Sequence, residues 1–90
     1  MELTYMIISF SSTHQAIHFE KKLLPHFAIE LIPTPREITA SCGLSLKFDR
    51  DDLKMILEVL ADEDKTGIQL YQYIAENQQQ KIIKREWEAS

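Results

Sequence analysis

The stretch Leu3-Thr4-Tyr5-Met6-Ile7-Ile8-Ser9-Phe10-Ser11-Ser12-Thr13 predicts the first two elements of the fold. The residues up to Phe10 are mainly apolar, aromatic or β-branched, which is typical of a buried strand. A cluster of hydroxyl side chains then ends the strand, and Ser12 or Thr13 can cap a helix by accepting a hydrogen bond from an unpaired backbone N–H group. The stretch therefore predicts a strand that leads directly into a helix.

The predicted first helix runs from Thr13 to Phe27. One of its faces is apolar at helical spacing and is formed by Ala16, Phe19, Leu23 and Phe27. Glu20 falls within that face. It either lays its carbon stem along the edge of the core with its carboxylate in water, or it is a partly buried carboxylate that serves a site.

The pattern of strands and a helix recurs in the second half of the chain. Residues 28–32 are mainly apolar and residues 44–48 alternate apolar with polar side chains, so both stretches predict strands. Asp49 can cap a second helix that ends near Glu63, and residues 66–74 alternate again as a fourth strand. The order βαββαβ predicts an α+β fold of the ferredoxin-like type, a four-stranded antiparallel sheet with two helices on one face.

We predict a single ferredoxin-like domain over residues 1–75 and a polar C-terminal tail over residues 76–90. Ile82, Ile83 and Trp87 are spaced for a helix in this tail. Because chain ends are often loosely held, we expect the core to fold without it. An exposed edge strand and an amphipathic tail would both permit a homodimer.

The charge balance and the single cysteine limit the function. Lys and Arg total 10, Asp and Glu total 14, and the net charge is −4. Proteins that bind nucleic acid concentrate positive charge, so this balance argues against such a partner. The first residues have neither the basic segment of a signal peptide nor an apolar run that could span a membrane. We therefore expect a cytoplasmic protein with no intramolecular disulfide and no membrane association.

The loop between the second and third predicted strands, residues 33–43, contains Cys42. Within it, Thr34-Pro35-Arg36-Glu37 fits a capping box that would start a single helical turn. Gly43 could then take the left-handed conformation that ends the turn. We therefore expect Cys42 to be exposed and held in place just before the third strand.

The predicted topology places Cys42 beside the start of the first helix. In the split βαβ arrangement the third strand is antiparallel to the first, so its start lies beside the end of the first strand. That end carries Ser11, Ser12 and Thr13, where unpaired N–H groups favour a thiolate. Arg36 would add a positive charge if it folded over the site, whereas the negative end of the short turn would disfavour the thiolate.

Other interpretations compete with thiol chemistry. A free cysteine is often a small buried hydrophobe, so Cys42 could be structural. His14 and His18 have the i,i+4 spacing of a metal site, but both point away from the apolar face, and we expect solvated side chains and no metal. The sequence contains no CxxC, P-loop, GxGxxG or GxSxG motif and no paired-carboxylate signature, and we predict no cofactor.

Two stretches and one residue between them are distinctive in combination. They are Phe10-Ser11-Ser12-Thr13-His14-Gln15-Ala16, then Glu20, then Leu31-Ile32-Pro33-Thr34-Pro35-Arg36-Glu37-Ile38-Thr39-Ala40-Ser41-Cys42-Gly43-Leu44-Ser45-Leu46. Together they resemble the small bacterial family of selenium/sulfur carrier-like proteins. The resemblance covers residues 3–74, and P-x-P-R-x-x-x-x-S-C-G combined with F-S-S-T is a fairly specific pattern.

The resemblance implies that Cys42 is a carrier thiol. It implies supporting roles for Arg36, Gly43, Ser11, Ser12 and Thr13. It also implies a cysteine-desulfurase-like donor of sulfur or selenium, a persulfide on Cys42, and an acceptor protein, so that the chain is a carrier more than a stand-alone enzyme. The main alternative is a non-catalytic regulatory or interaction module whose Pro33–Gly43 loop binds a small anion or a partner. A thiol-dependent enzyme such as a reductase is the third hypothesis.

Overall fold

A computed structural model describes residues 3–87 of the protein. This part of the chain contains five strands, two α-helices and one short 3-10 helix. The strands are β1 (Leu3–Ser9), β2 (Ile29–Pro33), β3 (Leu44–Asp49), β4 (Gln69–Glu76) and β5 (Gln79–Arg85). The helices are α1 (Thr13–Leu23) and α2 (Leu53–Val59), and the 3-10 helix Arg50–Asp52 leads into α2.

The strands form one sheet in the order β2-β3-β1-β4-β5, in which every neighbouring pair is antiparallel. This is an α+β fold, as the sequence predicts, and its elements up to β4 follow the predicted βαββαβ order. The predicted four-stranded ferredoxin-like sheet does not match in strand number, because β5 extends the sheet beyond β4.

β5 exists because a tight turn reverses the chain after β4. Asn77 and Gln78 both have positive φ, 51° and 65°, as in the two-residue turns that suit the twist of β-hairpins. β5 then pairs with β4 along its whole length. The helix predicted in the C-terminal tail is therefore wrong for residues 79–85, and residues 88–90 of that tail lie outside the described part of the chain.

The hydrophobic core lies between the helices and one face of the sheet. Met6 and Ile8 of β1 point toward the helices, as does Phe10 after the strand, and all three are fully buried. Other elements add Ala16, Phe19, Leu23, Leu46, Phe48, Ile56, Leu57, Leu60, Ile68 and Leu70 to this core cluster. Ile7 lies on the opposite face and is also fully buried, so β1 is buried on both sides.

Both helices are short. α1 ends at Leu23, before the predicted Phe27, because Pro25 has no backbone N–H to donate to the preceding turn. Within residues 3–87, no helix is long and apolar enough to cross a membrane.

Trp87 attaches the chain after β5 to the core. Its indole N–H donates to the carbonyl of Ile68 over 3.1 Å, and its ring packs against the core cluster. The amino group of Lys65 lies 5.8 Å from the centre of the ring. That the core folds without the tail stays a prediction from the sequence, and these contacts argue against it.

An ion-pair cluster joins α1 to the loop after α2. The amino group of Lys22 binds the carboxylates of Glu63 and Asp62, and Nε2 of His18 lies 2.9 Å from Oε1 of Glu63. The hydrogen bonds from Lys22 and then from His18 hold the pKa of the Glu63 carboxyl below its usual value of 4.5.

We expect Trp87→Ala to lower the free energy of unfolding by about 2 kcal/mol, because it removes a half-buried ring and leaves the Ile68 carbonyl without its donor. Trp87→Phe keeps most of the packing and should recover part of the loss. Urea denaturation of the two variants measures both effects. A Trp87→Ala protein as stable as the wild type would show that the chain after β5 is not attached to the core.

The lowered pKa of Glu63 means that its ionised form stabilises the fold above about pH 4.5 and that this contribution is lost as the pH falls. We expect Glu63→Gln to lower the Tm by a few degrees at most at pH 7, because ion pairs near the surface contribute little. The difference from wild type should shrink as the pH falls below 4.5 and Glu63 becomes protonated. Glu58→Gln, at an exposed position on α2, is the matched control. A difference that does not shrink as the pH falls would contradict the assignment.

Candidate functional site

Cys42 lies where β3 is about to begin, next to the end of β1 and the start of α1. The register of β1 and β3 pairs Ser9 with Ser45. Just upstream, the N–H of Cys42 donates to the carbonyl of Phe10 over 3.3 Å. The start of the third strand thus lies beside the end of the first, as the antiparallel topology predicts.

The thiol of Cys42 points into the protein. Only 5% of the residue is exposed, and it belongs to the core cluster. The predicted exposed cysteine is therefore wrong. Its neighbours Ser41 and Gly43 are exposed, so the loop that covers the sulfur is itself at the surface.

Two hydrogen-bonding groups contact the sulfur. The backbone N–H of Leu44 donates to Sγ of Cys42 over 3.3 Å, and Oγ1 of Thr13 lies 3.7 Å from the same atom. The bond from Leu44 joins the side chain of Cys42 to the first residue of β3. Both groups can donate to a sulfur anion, and donors to an ionised acceptor make the stronger hydrogen bonds.

The other hydroxyls at the start of α1 serve the helix. Ser12 is the N-cap, and its Oγ accepts from the N–H of Gln15 over 3.2 Å. Ser11 donates its N–H and its hydroxyl to Oε1 of Gln15 over 3.0 and 2.7 Å. Among the described residues, Thr13 is thus the one predicted hydroxyl of this group that reaches Cys42.

Gln15 and Gly67 hold this end of α1 in place, although neither is among the residues predicted for the site. Nε2 of Gln15 donates to the carbonyl of Thr66 over 3.3 Å, which ties α1 to the loop before β4. Gly67 has a φ of +76°, and a Cβ at this position would lie 2.7 Å from Oγ of Ser11. A glycine at the start of a predicted strand is the signal that could have indicated such a turn.

The Pro33–Gly43 loop differs from the predicted capped helix. It contains one turn, closed by a 3.0 Å hydrogen bond from the N–H of Ile38 to the carbonyl of Pro35. The hydroxyl of Thr34 donates to the carbonyl of Cys42 at the far end of the loop. The predicted capping box is therefore wrong, because a tertiary partner has taken the hydroxyl that would have formed the cap.

Gly43 and Arg36, the other predicted supporting residues, are exposed on the loop. Gly43 does not have the predicted left-handed conformation, since within residues 3–87 Gly67 is the one glycine with positive φ. A Cβ at Gly43 would meet no atom within 4 Å, so the space beside it is open. Arg36 forms no hydrogen bond or ion pair within the described residues, and its contribution to the site stays a prediction.

The middle of the loop contains one buried side chain, and the sheet face opposite the helices carries a pair of stacked tyrosines. Ile38 is buried, with 5% of its surface exposed. Tyr5 on that face stacks on Tyr73 with the ring centres 4.5 Å apart. Burial most strongly, and then Tyr73 and the carboxylate of Glu37, raise the pKa of the Tyr5 phenol.

Neither His14 nor His18 forms a hydrogen bond with Cys42 in the described part of the chain. His18 pairs with Glu63 rather than with the thiol, and His14 is exposed. Within residues 3–87, no group of three or more His, Cys, Asp or Glu side chains is arranged to hold a metal ion. The sulfur is therefore presented with hydrogen-bond donors, from Leu44 and Thr13, as its polar neighbours.

A family model described as "Putative Se/S carrier protein-like" matches residues 5–78. The matched region includes the start of α1, the Pro33–Gly43 loop and Gly67, and the match confirms the resemblance found in the sequence. No curated protein and no solved structure matches the chain.

The two glycines near the site provide a matched test of its geometry. We expect Gly67→Ala to lower the free energy of unfolding by about 2 kcal/mol, because alanine disfavours positive φ and its Cβ would overlap Oγ of Ser11. Gly43→Ala should stay within about 0.5 kcal/mol of wild type, because the added Cβ enters open space. Urea denaturation measures both variants. Equal losses at the two positions would contradict the geometry.

Proposed function

Because the chain belongs to the Se/S carrier protein-like family, we propose that it carries sulfur or selenium on Cys42. One observation carries the proposal: Sγ of Cys42 lies 3.3 Å from the backbone nitrogen of Leu44 and 3.7 Å from Oγ1 of Thr13, the first residue of α1. N–H groups at a helix start and nearby hydroxyls favour a sulfur anion. They would stabilise both the attacking thiolate and a persulfide anion formed from it.

The proposed reaction is an exchange between a donor persulfide and the thiolate of Cys42. Sγ attacks the outer sulfur of the donor R–S–SH, and the donor S–S bond breaks as the Sγ–S bond forms. The electron pair of the broken bond leaves on the donor as R–S⁻, and the proton stays on the transferred sulfur. The exchange therefore needs no oxidant or reductant. A selenopersulfide R–S–SeH would deliver selenium by the same steps.

Partners are part of this proposal. A cysteine-desulfurase-like protein would supply the atom, and the thiolate of an acceptor protein would remove it by attacking the outer sulfur of Cys42–S–SH. The exposed residues Ser41 and Gly43 flank the thiol, and the open space beside Gly43 lets a partner approach. In this role the protein is a carrier and not a stand-alone enzyme.

Transfer requires the loop to open. With 5% of Cys42 exposed, a donor cannot reach Sγ along the line of its own S–S bond while the loop is closed. Surface loops open locally at a lower free-energy cost than central strands do. Opening of residues 34–43 would expose the sulfur while β1 and β3 stay paired.

The burial of Cys42 also favours a second candidate function. A buried cysteine can be a packing residue, and the chain would then be a regulatory or interaction module whose Pro33–Gly43 loop binds a small anion or a partner. The two functions differ in one respect that can be measured, which is whether Cys42 takes up a chalcogen atom.

We expect wild-type protein, incubated with a cysteine desulfurase and cysteine, to gain one sulfur atom that dithiothreitol removes. Cys42→Ser should gain none, because a hydroxyl is a far weaker nucleophile than a thiolate near neutral pH. It should remain folded, because serine is nearly isosteric and keeps its neighbours Leu44 and Thr13. Mass spectrometry of the intact, unreduced proteins measures the uptake, and circular dichroism checks the fold.

The matched control is Ser41→Cys in the Cys42→Ser background, which moves the thiol to the exposed side of the loop. It should hold less sulfur than wild type, because neither the N–H of Leu44 nor the hydroxyl of Thr13 reaches this position and the loop does not cover it. Equal amounts on both thiols would show that the position of Cys42 is unimportant. Wild-type protein that takes no sulfur, although a small neutral reagent alkylates Cys42, would overturn the carrier function and favour the interaction module.

A further inference from the structure

We infer that Thr34 is the positioning residue for Cys42 and that its hydrogen bonds control access to the thiol. The inference rests on the proposed function for its purpose. Thr34 follows β2, and Cys42 comes just before β3, so the bonds between them close the base of the loop. The residue contributes through its backbone and through its side chain.

The backbone of Thr34 extends the pairing of β2 with β3 by one hydrogen bond. The last pair of that ladder is Pro33 with Leu44. Just beyond it, the N–H of Thr34 donates to the carbonyl of Gly43 over 2.9 Å. Opening of the loop would therefore begin by breaking bonds at Thr34.

The side chain of Thr34 makes two further contacts that determine where its proton lies. Its Oγ1 is 3.1 Å from the carbonyl oxygen of Cys42 and 2.7 Å from Oγ of Ser45. A carbonyl can only accept, so Thr34 donates to Cys42 and accepts the hydroxyl proton of Ser45. Ser45 is fully buried, and loss of the Thr34 oxygen would leave its hydroxyl without this partner.

These bonds hold the backbone of Cys42 while the N–H of Leu44 holds its side chain. The carbonyl of Cys42 accepts a hydrogen bond from Thr34, which directly follows β2, and its Sγ accepts one from Leu44 of β3. With both ends held, the thiol points inward toward Thr13. Release of the Thr34 hydroxyl frees the carbonyl and lets the residue rotate toward solvent, which is the movement that transfer requires.

The test is the rate at which iodoacetamide alkylates Cys42 in the folded protein. Thr34→Val keeps the shape of the side chain without its hydroxyl, and we expect alkylation roughly fivefold faster than in wild type, the factor that corresponds to one net hydrogen bond. Thr34→Ser restores the hydroxyl and should restore the slow rate. Thr39→Val, at an exposed position of the same loop, is the matched control and should react as wild type does.

A merely structural role would act through global unfolding, and urea separates the two cases. Alkylation through local opening depends little on low urea concentrations, whereas alkylation through global unfolding rises steeply with them. A rate in Thr34→Val equal to wild type, or one raised only in proportion to the loss of global stability, would overturn the inference. If Thr34→Val does not fold, Ser45→Ala replaces it, because it removes the hydrogen bond that Thr34 accepts. A smaller acceleration through local opening, roughly twofold, supports the inference, and an unchanged rate overturns it.

The outcomes for the inference and for the proposed function are separable. Faster alkylation in Thr34→Val, together with no sulfur uptake by wild type, would retain the inference and reject the carrier. Sulfur uptake by wild type, together with an unchanged alkylation rate in Thr34→Val, would support the carrier function and reject the inference about Thr34.

Discussion

β1 lies in the middle of the sheet, between β3 and β4, and both of its faces are buried. Met6 and Ile8 face the helices, Ile7 faces the other way, and all three are fully buried. A slip of one residue in the pairing would turn Met6 and Ile8 away from the helices and put Ile7 in their place, so the packing of the core favours one register. That register pairs Ser9 with Ser45 and thereby sets Cys42 beside the start of α1.

The site that results combines a covered sulfur with nearby hydrogen-bond donors. Burial of a sulfur anion is costly, and the N–H of Leu44 and the hydroxyl of Thr13 offset part of that cost. For a carrier, the closed Pro33–Gly43 loop would protect a persulfide on Cys42, because small thiols and oxidants react with sulfur that is exposed. A loop that closes between transfers would keep the cargo, and a loop that opens on a partner would release it.

The departures from the predicted structure have a common physical cause. Thr34 carries the local signature of a helix cap, yet its hydroxyl binds the carbonyl of Cys42 eight residues later, since a tertiary bond competed successfully with the local one. Residues 79–85 are polar and show no clear alternation, yet they form β5 because the turn at Asn77 and Gln78 sets them on the free edge of β4. Local patterns contain no information about such distant partners.

By itself, the sequence determined the α+β class, the βαββαβ order, the cap at the start of α1 and the place of Cys42 beside it. These features follow from hydrophobic periodicity and from the chemistry of N-caps. They also follow from the geometry of an antiparallel pair, in which the start of one strand lies beside the end of its neighbour. The tertiary structure alone decided that the thiol is buried and that Thr13 contacts it. The direction of a loop side chain depends on the groups that fold against it, and here those groups are brought together from β1, α1, β2 and β3.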